Sequence, residues 1–275
     1  MVTRPPYKAY YNGPPLFQVG LQRIDPALWL SPDPEAAWLD LKGQRLDAEP
    51  DRYYRALPSA HTAEAEALAR IEAATGLARS DRDEPALIAA GRLVSDDLVV
   101  MENAGAGWIA TSLLLTQPTF FSLEDAFNRE LHVLHAPVPN GSPSLAGKIA
   151  RVFDRMPAGE VFERFNWTVQ LGMERHWPHG TAMREQLKTT PLEAALQALT
   201  LRVERQTLVR LEASNAILFC IRICLDPIAE ALSDSQDRAV FAKNWRAASA
   251  DALAYKRWGL FSAHVEAALT ALDGE

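Results

Sequence analysis

Leu201-Arg-Val-Glu-Arg-Gln-Thr-Leu-Val-Arg-Leu211 leads through Glu212-Ala-Ser-Asn215 into Ala216-Ile-Leu-Phe-Cys-Ile-Arg-Ile-Cys-Leu225. Positions 201, 203, 207, 209 and 211 are apolar or Thr, while 202, 204, 206 and 210 are charged or amide. That period of two predicts a half-buried strand. The second run, apolar apart from Arg222, predicts a strand buried on both faces, and the short link predicts an antiparallel hairpin. If Leu211 faces Asn215, Glu204 falls opposite Arg222 and Arg210 opposite Ala216. A slip of one residue sets Arg205 against Arg222, a like-charge pair, so the first register is expected. One face then carries Arg202, Glu204, Gln206, Arg210 and Arg222, and Arg205 interrupts the apolar face. Charges on so apolar a hairpin need partners. They form either a structural ion-pair network or a polar floor for an anionic or redox-active ligand.

The other 250-odd residues bound the answer. At 275 residues, 48% hydrophobic and 23% charged, the chain has the composition of a soluble globular protein with a sizeable core. A net charge of -7 and the lack of a basic cluster exclude a general nucleic-acid binder. Met1 is followed by Val, Thr, Arg and two prolines, so no signal peptide is expected. Arg222 breaks the longest apolar run, so no membrane span is expected either. Cys220 and Cys224 lie four apart on one strand, ~13 Å between Cα atoms, too far for a disulfide. The expected compartment is the cytoplasm.

Along the chain, residues 1–15 read as an extended arm, rich in Pro and Tyr. A short helix is expected after Pro34, and a longer one from a Thr62 cap to about Ala74, stopped by Gly76. Strands are expected at Leu98–Met101 and Trp108–Leu115, joined by a turn around Gly105 and Gly107, and again at Val161–Leu171. Ser144–Met156 reads as an amphipathic helix, Pro191 starts another, and residues from about 227 to 275 are mostly helical. The expectation is one α+β domain over residues 1–275, an arm at one end and a helical extension at the other.

Six histidines are the candidate ligands. His132 and His135 form one H-x-x-H pair and His176 and His179 another, yet no Cys or carboxylate cluster completes a zinc set. His135 stands apart, because Pro137 and Pro139 fix the backbone just after it. An imidazole on a rigid loop suits an axial metal ligand; it also suits a histidine merely hydrogen-bonded in a loop. G-x-S-x-G, Walker and C-x-x-C sequences are missing, as are a dinucleotide fingerprint and an iron–sulfur cysteine set.

Five motifs in order, Ser95-Asp-Asp-Leu98, His135-Ala-Pro-Val-Pro139, Arg164-Phe-Asn-Trp167, Arg202-Val-Glu-Arg-Gln-Thr-Leu208 and Ala216-Ile-Leu-Phe-Cys-Ile-Arg222, resemble the haem-dependent oxidative N-demethylase family. The family includes haem subunits of dimethylamine-oxidising enzymes. The resemblance runs from about Leu16 to about Leu232. It implies a PAS-like antiparallel sheet core holding haem b, and oxygen-dependent removal of a methyl group from a small methylated amine. It also implies electrons from separate reductase subunits carrying FMN and an iron–sulfur cluster, in an oligomeric assembly. His135, in the family's H-x-P-V-P position, is then the axial metal ligand. Arg202 and Arg205 pair with haem propionates, Asn166 and Trp167 line the cofactor, and Glu204 and Arg222 serve catalysis, Glu204 by holding the substrate ammonium or delivering protons. Ala126, Asn128, Glu212 and Asp96-Asp97 depart from the family's pattern and mark a divergent branch. The alternatives are a haem-based PAS-like sensor without catalysis, and a structural subunit that has lost haem.

Overall fold

The computed structural model describes residues 7–15, 17–103 and 105–274. Seven strands lie among them: β1 (Gln22–Ile24), β2 (Tyr54–Ala56), β3 (Asp97–Asn103), β4 (Trp108–Leu114), β5 (Val161–Leu171), β6 (Leu199–Arg210) and β7 (Ile217–Pro227). They form one antiparallel sheet in the order β1-β5-β6-β7-β3-β4-β2. With helices packed on both faces, the chain is α+β. The alternating stretch is its middle: β6 pairs along its length with β5 on one side and β7 on the other.

The β6–β7 hairpin takes the register that a like-charge rule rejects. Arg205 stands opposite Arg222, Glu204 opposite Ile223 and Arg210 opposite Ile217. Two features outweigh the repulsion. The turn is clamped by Glu66, whose carboxylate accepts from Ala213 N (2.8 Å), Ser214 N (2.9 Å) and the Ser214 hydroxyl (2.7 Å), while Leu211 N donates to Ala216 O at 2.9 Å. Each arginine also has its own carboxylate. Arg205 Nε reaches Glu163 at 2.5 Å, and Arg222 Nε reaches Asp96 at 2.9 Å. Backbone carbonyls of Leu28, Trp29, Leu30 and Pro32 accept one hydrogen bond from each Nη1 and Nη2.

Because side chains alternate along a strand, this register sorts the charges differently from the expectation. Arg202, Glu204, Gln206 and Arg210 share one face, the front. Arg205 and Arg222 share the other, the back. The back is covered at one end by the helices Ser235–Arg246 and Ser262–Asp273, whose Phe241, Trp245 and Val265 join Trp167, Val203 and Cys224. At the other end His61–Thr75 and Ala86–Gly91 bring Ala67, Ile71 and Leu87 onto Val209, Leu218 and Cys220. The first of these begins at His61 and Thr62 does not cap it; Gly76 ends it with φ 71°. A fully buried side chain of the size of Leu, Ile or Phe contributes ~1.5–3 kcal/mol, so these helices fix the sheet firmly from behind.

The front is covered less completely. Leu131–His135 and Ala146–Arg155 pack over Val99, Met101, Leu208, Ile217 and Phe219. Arg210 secures the second helix by donating to Met156 O (2.6 Å) and to Phe153 O, carbonyls at its C-terminal end. Further along, Phe162, Arg164, Asn166, Thr168, Glu204, Gln206, Phe219 and Ile221 are all only half-buried. These front-facing positions are a window in the cover.

Of the arm expected at 1–15, residues 1–6 lie outside the described residues. Ala9–Asn12 is a 3-10 turn, not extended chain, because Tyr10 docks edge-on to Trp167 and Phe241 and Tyr11 donates to Asp237 at 2.7 Å. No helix among the described residues is long and apolar enough to cross a membrane.

Candidate functional site

His135 is the last residue of the helical turn Leu131–His135, not part of a loop. Pro137 and Pro139 end the helix there, since neither supplies a backbone N–H and each restricts the residue before it. The ring Nδ1 lies 2.7 Å from Leu131 O. A carbonyl can only accept, so Nδ1 carries the proton and Nε2 keeps its lone pair. Gly141 packs against this turn so closely that a Cβ would run into the His135 carbonyl oxygen. Burial lowers the imidazole pKa below its ordinary value, the Leu131 contact works against that, and the charge of Arg164 adds to the lowering. A neutral imidazole with one nitrogen tied and the other free is the form that ligates a metal.

The window beside it is a row of cross-strand pairs: Arg164 with Gln206, Asn166 with Glu204, Thr168 with Arg202. Glu204 Oε2 accepts from Asn166 Nδ2 and from Gln206 Nε2, both at 3.1 Å, and Oε1 lies 3.6 Å from Arg202 Nε. Arg202 is 1% exposed and donates to Gln117 O (2.6 Å), Gln170 Oε1 (3.3 Å) and Arg175 O (3.4 Å). Its Nε has no hydrogen-bond partner. Arg164 Nη1 donates to Gln18 O at 3.1 Å.

Two more residues arrive from the helical C-terminal region, which wraps around the part of β5 that β1 leaves unpaired. Lys256 Nζ donates to Asn166 Oδ1 (2.7 Å) and Trp167 O (3.0 Å), fixing which end of the Asn166 amide meets Glu204. Burial lowers the Lys256 pKa to about 8; Glu204 opposes this and Arg164 adds to it. Tyr255, 42% exposed, meets Phe17 edge-on at 5.4 Å, and burial, with the charge of Glu204, raises its pKa. The front face thus gathers His135, Arg164, Asn166, Glu204, Gln206, Tyr255 and Lys256.

Of the residues expected at one site, Asn166, Arg202 and Glu204 come together, and His135 feels the charge of their neighbour Arg164. Trp167, Arg205 and Arg222 do not. Trp167 faces the back, 4.7 Å from the Trp258 ring, within the aromatic core. Arg205 and Arg222 are held on that face by Glu163 and Asp96, so Glu204 is not the partner of Arg222. Asp96 and Asp97 anchor opposite sides of one strand start. Asp97 accepts from Thr116 N (2.8 Å), its hydroxyl (2.7 Å) and Gln117 N (2.9 Å), and the buried Lys42 donates to Asp96 O (2.6 Å) and Val94 O (2.9 Å).

The other histidines stay apart from the front. His132 is exposed, 3.0 Å from Glu130. His176 lies edge-on to Tyr53, where burial and then Arg52 and Arg45 lower its pKa to about 4. Tyr255 and Lys256 carry no local sequence signal, sitting in an ordinary helical stretch. Arg164 stands in a quoted motif beside Asn166, and its alternation with Asn166 and Thr168 was the available sign that it faces the same way.

No curated protein sequence matches the chain. A family model described as "Haem-dependent oxidative N-demethylase, alpha subunit-like" matches residues 69–266, well over half of it. The match takes in β3 to β7, the His135 turn and Lys256. The chain belongs to the haem-dependent oxidative N-demethylase alpha subunit-like family.

Proposed function

We propose that the front face binds haem b and that the chain is the haem-bearing subunit of an oxygen-using oxidative N-demethylase acting on a small methylated amine. The observation that carries this reading is His135, whose Nδ1 is tied to Leu131 O and whose Nε2 is free, at the edge of a half-open window. The residues fit the group. His135 would hold the iron through its neutral imidazole, Phe162, Phe219 and Ile221 would give the ring apolar surface, and Arg164 and Lys256 would offset the propionate charge. When bound, the haem supplies the oxygen-activating chemistry.

The protein's own part is placement. Glu204, held by two amide donors, presents a fixed carboxylate to which a substrate ammonium can bind, positioning its methyl group. In the net reaction one methyl group leaves as formaldehyde and one oxygen atom leaves as water, at the expense of O2, two electrons and two protons. Those electrons come from a separate reductase carrying FMN and an iron–sulfur cluster. A PAS-like core is supported by the strand order: β3 and β4 form a hairpin, helices follow, and β5, β6 and β7 run as a meander that returns beside β3.

The test is the visible spectrum of the full chain reconstituted with haemin. A Soret band is expected, and His135→Ala should abolish or grossly shift it. A wild-type chain with no band overturns the haem reading. An unchanged band in His135→Ala overturns the ligand. Sustained NADPH-driven demethylation by the haem-loaded chain alone overturns the need for a reductase.

A further inference from the structure

We propose that the front face contains a carboxylate-binding subsite whose cation is Arg164. Buried and half-buried arginines elsewhere are completed by the fold, Arg210 by three backbone carbonyls and, among the described residues, no carboxylate. Arg205 has Glu163, Arg222 has Asp96, Arg175 has Glu35 and Arg92 has Glu84. Arg164 makes no ion pair among the described residues; its partner is a carbonyl, Gln18 O.

The obvious carboxylate is close by and turned elsewhere. Glu204 is diagonal to Arg164 across the β5–β6 ladder. Both of its oxygens are directed to Asn166, Gln206 and Arg202. A guanidinium presents five N–H donors in a planar fork that matches a carboxylate, and here most of that fork is unused. Leaving a cation half-desolvated without a counter-charge costs free energy that a ligand carboxylate would recover.

The surroundings favour an anion. With Arg202 offsetting Glu204, the charges of Arg164 and Lys256 are both in excess. Lys256, buried against Asn166 and Trp167, adds positive field without filling the space. Phe17 and Tyr255 close one side with apolar surface.

Two sources can supply the carboxylate, and both rest on the function proposed above. One is a haem propionate. The other is the carboxylate of a substrate that is an N-methylated amino acid, its ammonium meeting Glu204. The haem arm titrates the full chain with haemin and with haemin dimethyl ester, following the Soret band. The substrate arm titrates the chain, with and without haem, with N,N-dimethylglycine and with dimethylammonium chloride by calorimetry. A charge-assisted bidentate pair predicts a preference of about tenfold or more for the carboxylate-bearing probe. The arm that shows it names the source. Arg164→Gln should erase the preference and Arg164→Lys should keep part of it, with circular dichroism confirming that both fold. No preference in either arm, or one unchanged in Arg164→Gln, overturns the proposal. If neither haemin nor its ester binds, the haem reading falls, and the calorimetric arm on the chain as purified still decides Arg164.

Discussion

Arg222 on the back of the sheet is wholly buried, with Asp96 at 2.9 Å, Asp33 at 3.6 Å and two backbone carbonyls around it. Arg164 on the front, two strands away, is half-buried and reaches one carbonyl. The two side chains are chemically identical and share one rigid sheet, so the difference lies in what the rest of the chain brings to them. The Leu28–Asp33 segment and the residues leading into β3 lie on the back and give each nitrogen of Arg222 a partner. The front cover stops short of Arg164. Charges completed by the fold hold the fold; a charge left incomplete beside an opening is left for something else.

Breaking the back-face pair should have the largest effect. Arg222→Met leaves Asp96, 1% exposed, without its counter-charge. Loss of one partner from a buried pair costs ~3–5 kcal/mol, readable as a fall in the urea midpoint. Arg164→Gln should cost below ~1 kcal/mol. Equal costs would remove the distinction between the faces.

Next comes a change that transmits strain to the candidate ligand. Gly141→Ala places a methyl group against the His135 carbonyl, where backbone cannot yield as a side-chain tip can. Overpacking of this kind costs ~1–3 kcal/mol. Here it should also change the spectrum of the haemin-reconstituted chain by moving the imidazole. A stability loss with an unaltered spectrum would separate the Gly141 contact from the ligand.

Glu204→Gln should cost less, ~1 kcal/mol, because the amide keeps the shape and Arg202 retains three acceptors. Its main effect should be on dimethylammonium affinity, a loss of about tenfold by calorimetry. An unchanged affinity with lowered stability would make Glu204 a purely structural partner of Arg202.

Much of this architecture is legible in the sequence. The alternation at Leu201–Leu211 and the bounds Val161–Leu171 identify β6 and β5 because each buries one face, and burial imposes a period of two. The hairpin register is not legible. A pairwise rule weighs Arg205 against Arg222 alone, whereas Glu163 from a third strand, Asp96 from a fourth and carbonyls from residues 28–32 outweigh it. The site splits the same way. His135 and Glu204 stand in distinctive local patterns, while Lys256 and Tyr255 reach the window only because the helical C-terminal region wraps around the part of β5 that β1 leaves unpaired. No residue near them in sequence carries that information.

The smallest effect concerns His135 and acid. Its pKa is lowered in the folded chain, mainly by burial, so between the folded and unfolded pKa values the unfolded chain binds more protons. Stability therefore rises with pH across that window, and His135's share is lost as pH falls below about 6.5, the free imidazole value. Arg164 adds to the lowering, which couples the titration to the front-face charge. His176, lowered to about 4, contributes acid sensitivity of the same sign, so the wild-type slope alone cannot isolate His135. The comparison is between wild type and His135→Gln in the haem-free chain, by urea unfolding at pH 7.5 and 5.5. The variant should lose less stability on acidification, and the shortfall measures the shift at ~1.4 kcal/mol per pKa unit. Adding Arg164→Gln should shrink that shortfall, since it removes the cation that helps keep His135 neutral. A shortfall of opposite sign would mean that His135 gains a proton on folding, leaving Nε2 without the lone pair a metal ligand requires.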